Sequence, residues 1–216
     1  MKLILCSEGF YTQEIVDKCI EWVGKPKDKI NVAVINEAYA VKDNNLRWVV
    51  NNLTSVKDNF GGNLDVVDLL ALELEAIKKR LEASDVIFVV GGQVDYLMSV
   101  FNKSGISSIL PDLLKTKVYV GSSAGSMIMG QRLSQKAYTK IYDERDIYGV
   151  DKYLNLVDLA IMPHLDSPNR LSRRETLLEA AKDHTGVVYG LRDDSAILVD
   201  EDKITTIGSE PLILNS

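Results

Sequence analysis

The chain has 216 residues, of which 46% are hydrophobic and 26% charged, enough apolar content to build a core without disulfides or metal. A net charge of −6 with a sequence pI of about 5.0 excludes the basic footprint that nucleic acid requires and provides no polybasic membrane patch. No apolar window is long enough to span a bilayer, and the short apolar run in MKLILCSEGF is too brief for a signal-peptide core, so a cytoplasmic location is expected.

Apolar runs alternate with helical patterns along the chain. Lys2–Cys6 (KLILC) reads as a buried strand, and Thr12–Val23 as an amphipathic helix. Asn31–Ile35 (NVAVI) is a second strand, Leu46–Phe60 a helix ended by Gly61-Gly62, and Leu64–Leu70 a third strand or part of one. Leu72–Ala83 carries its charges on one helical face. Val86–Val90 (VIFVV) is a fully apolar strand stopped by Gly91-Gly92. Asp95–Asn102 and Ile106–Leu114 have helical spacing, with Pro111 as a break or first-turn residue. Val118–Val120 is the next strand, and a helix begins at Ala124. After the Val157–Met162 strand and the Arg170–Lys182 helix come four short strands: Val187–Leu191, Ala196–Val199, Ile204–Ile207 and Leu212–Leu214. This order predicts one α/β domain over residues 1–216: a three-layer, doubly wound, mostly parallel sheet with antiparallel C-terminal edge strands. The two cysteines, Cys6 and Cys19, fall on a strand and on the following helix and read as buried small hydrophobes in a reducing compartment.

Ligands of open α/β sheets bind beyond the carboxyl ends of the strands. Three predicted strand ends carry unusual residues: Gly91-Gly92, Gly121-Ser-Ser-Ala-Gly125 and Pro163-His164. The second matches G-x-S-x-G in one register, with Ser123 at the centre, because Ser122 and Ser126 lack a glycine two positions before them. The two glycines let backbones pass closely at a strand-to-helix corner, and the helix N-terminus offers the Ala124 N–H to a developing oxyanion. Gly91-Gly92 could supply a second donor or simply turn the chain. A serine nucleophile needs a base, and there are two histidines. His164 lies at a strand end, whereas His184, in KDHTG, suits an ordinary place in the last turn of a helix. The imidazole in turn needs an acid. Asp193 is favoured, then Asp194, both just past a predicted strand; Asp166 is awkwardly close to His164 in sequence, and Asp158 is at the wrong end of its strand. The spacing of His and Cys gives no metal site, and neither a P-loop nor G-x-G-x-x-G is present, so no cofactor is expected.

Taken together, VIFVVGG, GSSAGSM, the Pro-His pair and GLRDDSAILV resemble the dipeptidase E (aspartyl dipeptidase) family of serine peptidases, to which cyanophycinases are related. The resemblance runs over most of the chain. It implies a fold similar to class I glutamine amidotransferases, no cofactor or metal, and a small peptide substrate. By position, Ser123 matches the family nucleophile, His164 the histidine of its Pro-His, and Gly92 and Ala124 its oxyanion donors. Asp193 stands where the family has a glutamate. Gln93 replaces the asparagine that follows the family's glycines, and Arg173 lies where a family arginine could hold an acidic substrate side chain. The Thr- and Asp-containing loop of the aspartyl dipeptidases is replaced by QRLSQKAYTKIYDERD. Tyr138–Tyr153, with four tyrosines, would form a wall over the site or a contact for a second subunit. The expected function is hydrolysis of dipeptides or short peptides through an acyl-enzyme, with those carrying an N-terminal aspartate as candidate substrates, by a monomer or homodimer. The alternatives are an esterase or cyanophycinase-like hydrolase on the same corner, or a binding module that has lost hydrolysis.

Overall fold

The computed structural model describes residues 1–42, 46–142, 147–167 and 174–215. Ten strands are present among them: β1 (Lys2–Cys6), β2 (Val32–Ile35), β3 (Leu64–Val66), β4 (Val86–Val89), β5 (Val118–Ser122), β6 (Ala160–Met162), β7 (Val188–Gly190), β8 (Ala196–Asp200), β9 (Lys203–Ile207) and β10 (Leu212–Ile213). The helices are α1 (Gln13–Val23), α2 (Arg47–Asn59), α3 (Leu74–Glu82), α4 (Val94–Ser104), α5 (Ile106–Leu113), α6 (Ala124–Met127), α7 (Gln135–Tyr142) and α8 (Arg174–Ala181).

The main sheet runs β3-β2-β4-β5-β1-β8-β9. Its first five strands are parallel, and β8 and β9 add an antiparallel edge. Strand period dictates the two cores. Leu3, Leu5, Ala33, Ile35, Ile87, Val89 and Tyr119 face one layer, with α3, α4 and α5. Ile4, Cys6, Val32, Val34, Val86, Phe88 and Val120 face the other, with α1 and α2. Both cysteines are reduced and buried, and burial pushes both thiols far above their ordinary range, so neither is a nucleophile. Helix α1 is bounded by side-chain capping from Thr12 and by Gly24 at φ 70°.

The short C-terminal strands do not all extend the main sheet. β6 and β7 pair in parallel, and β10 joins β7 antiparallel, in a separate three-stranded sheet. Residues 157–159 bend before β6 begins, since Gln131 N–H takes the Leu159 carbonyl at 2.7 Å. Pro111 sits inside α5 rather than at its start. Two of the four tyrosines expected to form a wall or a subunit contact belong to the core. Tyr138 and Tyr153 are buried, and Tyr153 donates to the fully buried Asp95 at 2.9 Å. Asp95 is neutralised by Arg132 at 2.8 Å, whose guanidinium lies over both rings. Residues 143–146 of that segment lie outside the described residues.

A 3-10 turn at Glu37–Tyr39 follows β2 and shapes the glycine loop after β4. The Gln93 N–H donates to the Ala38 carbonyl at 2.9 Å, and a Cβ on Gly92 (φ 141°) would sit 2.2 Å from that same oxygen. Glu37 anchors the turn by accepting from the Leu69 N–H, while its second oxygen is buried without a partner. Burial, and to a lesser degree the charge of Asp68, pushes the Glu37 carboxyl above its usual range despite that hydrogen bond. The folded state therefore keeps this proton at pH values where the unfolded chain has lost it. Stability is expected to fall as pH rises from about 4.5 through the raised folded value. Glu37→Gln removes that decline. Thermal midpoints measured over a pH series should show the variant gaining on the wild type as pH increases; parallel curves would refute the assignment.

Candidate active site

Three chain segments meet at the carboxyl ends of β5, β6 and β7. At the first, β5 ends in Ser122, and Ser123 takes φ 51° and ψ −111° before α6 begins. A non-glycine residue in such a conformation costs about 1–3 kcal/mol and persists only where its surroundings hold it. Here the Ser123 N–H donates to the Cys6 carbonyl at 3.1 Å, and Ser126 Oγ donates to the same oxygen at 2.7 Å. The flanking glycines are required by close approach. A Cβ on Gly121 would lie 2.6 Å from Ser126 N, and one on Gly125 would lie 2.1 Å from the Val89 carbonyl oxygen. The sequence pattern suggests a full helix here, but α6 is a single turn because the chain turns off to bond the segment before β6. A helix this short has little macrodipole, so the local N–H groups carry the electrostatics.

His164 follows β6 and Pro163 in the left-handed region at φ 64° and is 1% exposed. Its Nε2 is 3.0 Å from Ser123 Oγ, and its Nδ1 is 2.7 Å from Asp193 Oδ1. Asp193 sits on the turn between β7 and β8. The two loops are laced together: Leu191 N–H donates to the Met162 carbonyl at 2.9 Å, and Leu165 N–H to the Leu191 carbonyl at 2.8 Å. The shorter aspartate arm thus still reaches the imidazole.

The other candidates lie elsewhere. Asp194 turns away from His164 and accepts from Ser209 Oγ at 2.7 Å. His184 Nε2 meets Gln131 Oε1 at 2.7 Å, and Asp158 takes the Gln131 amide at 2.6 Å. Burial lowers the His184 pKa, which favours its neutral form. Asp166 pairs with Arg174 at 2.6 Å and Arg192 at 3.4 Å. Gln93 is buried and its carbonyl caps α4 by accepting from the Tyr96 N–H. Arg173 lies outside the described residues. A Cβ on Gly91 would touch that of Ser123 at 2.8 Å, which places the glycine loop against the serine. Among the described residues, the N–H groups of Gly92 and Ala124 meet no acceptor.

Two residues that the motif reading passes over also belong to this cluster. Ser7, fully buried, donates to Asp193 Oδ1 at 3.0 Å. Glu8 places an oxygen 3.4 Å from His164 Nδ1. Both follow β1 directly, and the strand-end rule that singles out the other three loops applies equally to them. Glu8, His164 and Asp193 are also the one group among the described residues whose ligand atoms could hold a metal. An ion there would take the Nδ1 lone pair and leave Nε2 protonated, so a metal and a base at Nε2 exclude one another.

Against known proteins, the model of peptidase family S51 matches residues 3–207. The chain belongs to peptidase family S51. Similar proteins include an uncharacterized peptidase of Pasteurella multocida, 24% identical over 165 residues that cover 76% of this chain and 77% of that one. Peptidase E of Shewanella baltica is 27% identical over 144 residues, covering 63% and 59%. The fold agrees with a 1.5 Å crystal structure provisionally assigned to peptidase E from Listeria monocytogenes: the TM-score is 0.76 at 20% identity, with 97% and 98% of the chains covered. A peptidase from an acI-B1 actinobacterium gives 0.69 at 14% identity, covering 99% and 90%. Membership in family S51 makes this protein a peptidase and hence a hydrolase.

Proposed function

We propose that the protein is a serine-type peptidase that cleaves dipeptides or short peptides through an acyl-enzyme on Ser123. The observation that carries this reading is the line Ser123 Oγ to His164 Nε2 at 3.0 Å and His164 Nδ1 to Asp193 Oδ1 at 2.7 Å, set on a strained strand-to-helix corner. Asp193 accepts from Nδ1–H, which leaves the Nε2 lone pair free to receive the Ser123 proton. Ser123 Oγ then attacks the peptide carbonyl carbon. The oxyanion develops toward the N–H groups of Ala124 and Gly92. His164 gives its proton to the leaving amine, the C–N bond breaks, and the acyl group remains as an ester on Ser123. Water loses a proton to His164, attacks that ester, and releases the acid with Ser123 restored.

The restriction to short peptides follows from the resemblance to dipeptidase E, and so does the choice of an N-terminal aspartate as the first side chain to test. The test is a dipeptide panel that varies the N-terminal residue, with Ser123→Ala protein as the blank. Serine-dependent release of free amino acids is the expected result. A panel left untouched while simple esters or cyanophycin are hydrolysed would replace the peptide substrate with another one.

A further inference from the structure

Adjacent residues at the end of β1 touch each member of the Ser123–His164–Asp193 line. The Cys6 carbonyl accepts from the Ser123 N–H at 3.1 Å. Ser7 Oγ accepts from the His164 main-chain N–H at 2.8 Å and donates to Asp193 Oδ1 at 3.0 Å. It also lies 3.5 Å from His164 Nδ1. The Ser7 N–H donates to the Ser195 carbonyl at 3.2 Å, which ties the same residue to the turn that carries Asp193. This arrangement follows from topology. β1 lies between β5 and β8 in the sheet, with Cys6 opposite Ser122 on one side and Ala196 on the other. Its continuation is therefore the point from which a short side chain reaches both loops.

We propose that Ser7 is a positioning residue of the reaction: its hydroxyl locks the base and the acid in register. The inference rests on the serine-peptidase reading above. Two physical arguments support it. His164 holds a positive φ, which an L-residue adopts only under restraint, and its main-chain N–H is anchored by a side chain and not by a sheet ladder. Asp193 Oδ1, the oxygen 2.7 Å from Nδ1, also accepts from the Ser7 hydroxyl at 3.0 Å, which fixes its place against the imidazole. A hydroxyl can do both at once because it donates one hydrogen bond while accepting another. The backbone of this site is thus set by Cys6 and its side-chain alignment by Ser7. Loss of the hydroxyl removes the acceptor of the His164 N–H and a donor to Asp193 Oδ1 together, which loosens the alignment of acid and base.

The test compares wild type, Ser7→Ala and Ser7→Thr. Each is labelled with a fluorophosphonate, and each is assayed for kcat and KM on the best dipeptide. Ser7→Ala is expected to lower kcat and the labelling rate by about 10–100-fold with KM within about twofold, the effect of a misplaced catalytic group. The low-field imidazole N–H resonance of His164 should shift or broaden. Ser7→Thr keeps the hydroxyl and should recover most of the rate. If the methyl group is not tolerated there, shown by a lowered thermal midpoint, the imidazole resonance of folded Ser7→Ala decides the matter. Wild-type kcat, labelling and resonance in Ser7→Ala would overturn the inference while leaving the Ser123 nucleophile intact. Wild type that never labels at Ser123 would overturn the nucleophile and this inference together.

Discussion

Ser123→Ala is expected to reduce kcat by about 10⁴–10⁶-fold, the loss seen when a nucleophile is removed from a unit that otherwise keeps its oxyanion donors and binding surface. KM should stay within a few-fold, because Oγ forms a bond only during the reaction. Folding should be preserved. Alanine keeps the Cβ, and the hydrogen bonds that hold the corner come from Ser123 N–H, Ser126 Oγ and the Cys6 carbonyl, none of which needs the Ser123 hydroxyl. A thermal midpoint equal to or slightly above that of wild type is the expected accompaniment, since catalytic groups are commonly held at some cost in stability. Near-normal peptidase activity in well-folded Ser123→Ala would remove Ser123 from the chemistry.

The second large effect concerns the acid and separates two substitutions usually treated alike. Asp193→Asn should cost about 10⁴-fold in kcat, because an amide facing Nδ1 can donate to it and so favours the tautomer whose Nε2 carries the proton. Asp193→Ala should cost less, about 10²-fold, because Glu8 already lies 3.4 Å from the same nitrogen and could take up the vacated role. The double variant Asp193→Ala with Glu8→Gln should then fall to the level of Asp193→Asn, a non-additivity that marks a shared function. Equal losses for the Asn and Ala variants, or additive behaviour in the double variant, would show that Glu8 has no part in orienting the imidazole.

Much of this site can be read from the order of residue types. The corner at Ser123 is visible because two glycines have to flank it, and the backbone approaches at Gly121 and Gly125 show why. His164 and Asp193 are visible because each follows a short apolar run. Ser7 and Glu8 follow one too, but the punctuating glycine of KLILCSEG, Gly9, comes only after them, so the pair reads as the start of an ordinary turn. Asp193 and Asp194 cannot be told apart by sequence. One residue's difference in register sends the first toward His164 and the second toward Ser209. Charged residues mislead in the same way at Asp95 and Arg132, which pattern as surface yet neutralise each other beneath Tyr138 and Tyr153. The split of the C-terminal strands into two sheets is also hidden, since runs of two to five residues carry no information about their partners.

The central claim is that His164 activates Ser123, and the most direct test is labelling of wild type and His164→Ala with a fluorophosphonate, located by peptide mass spectrometry. The account predicts a single adduct on Ser123 in the wild type and little or none at the same exposure in His164→Ala. A wild type that stays unlabelled while folded, or a His164→Ala variant that labels as fast as wild type, would contradict it.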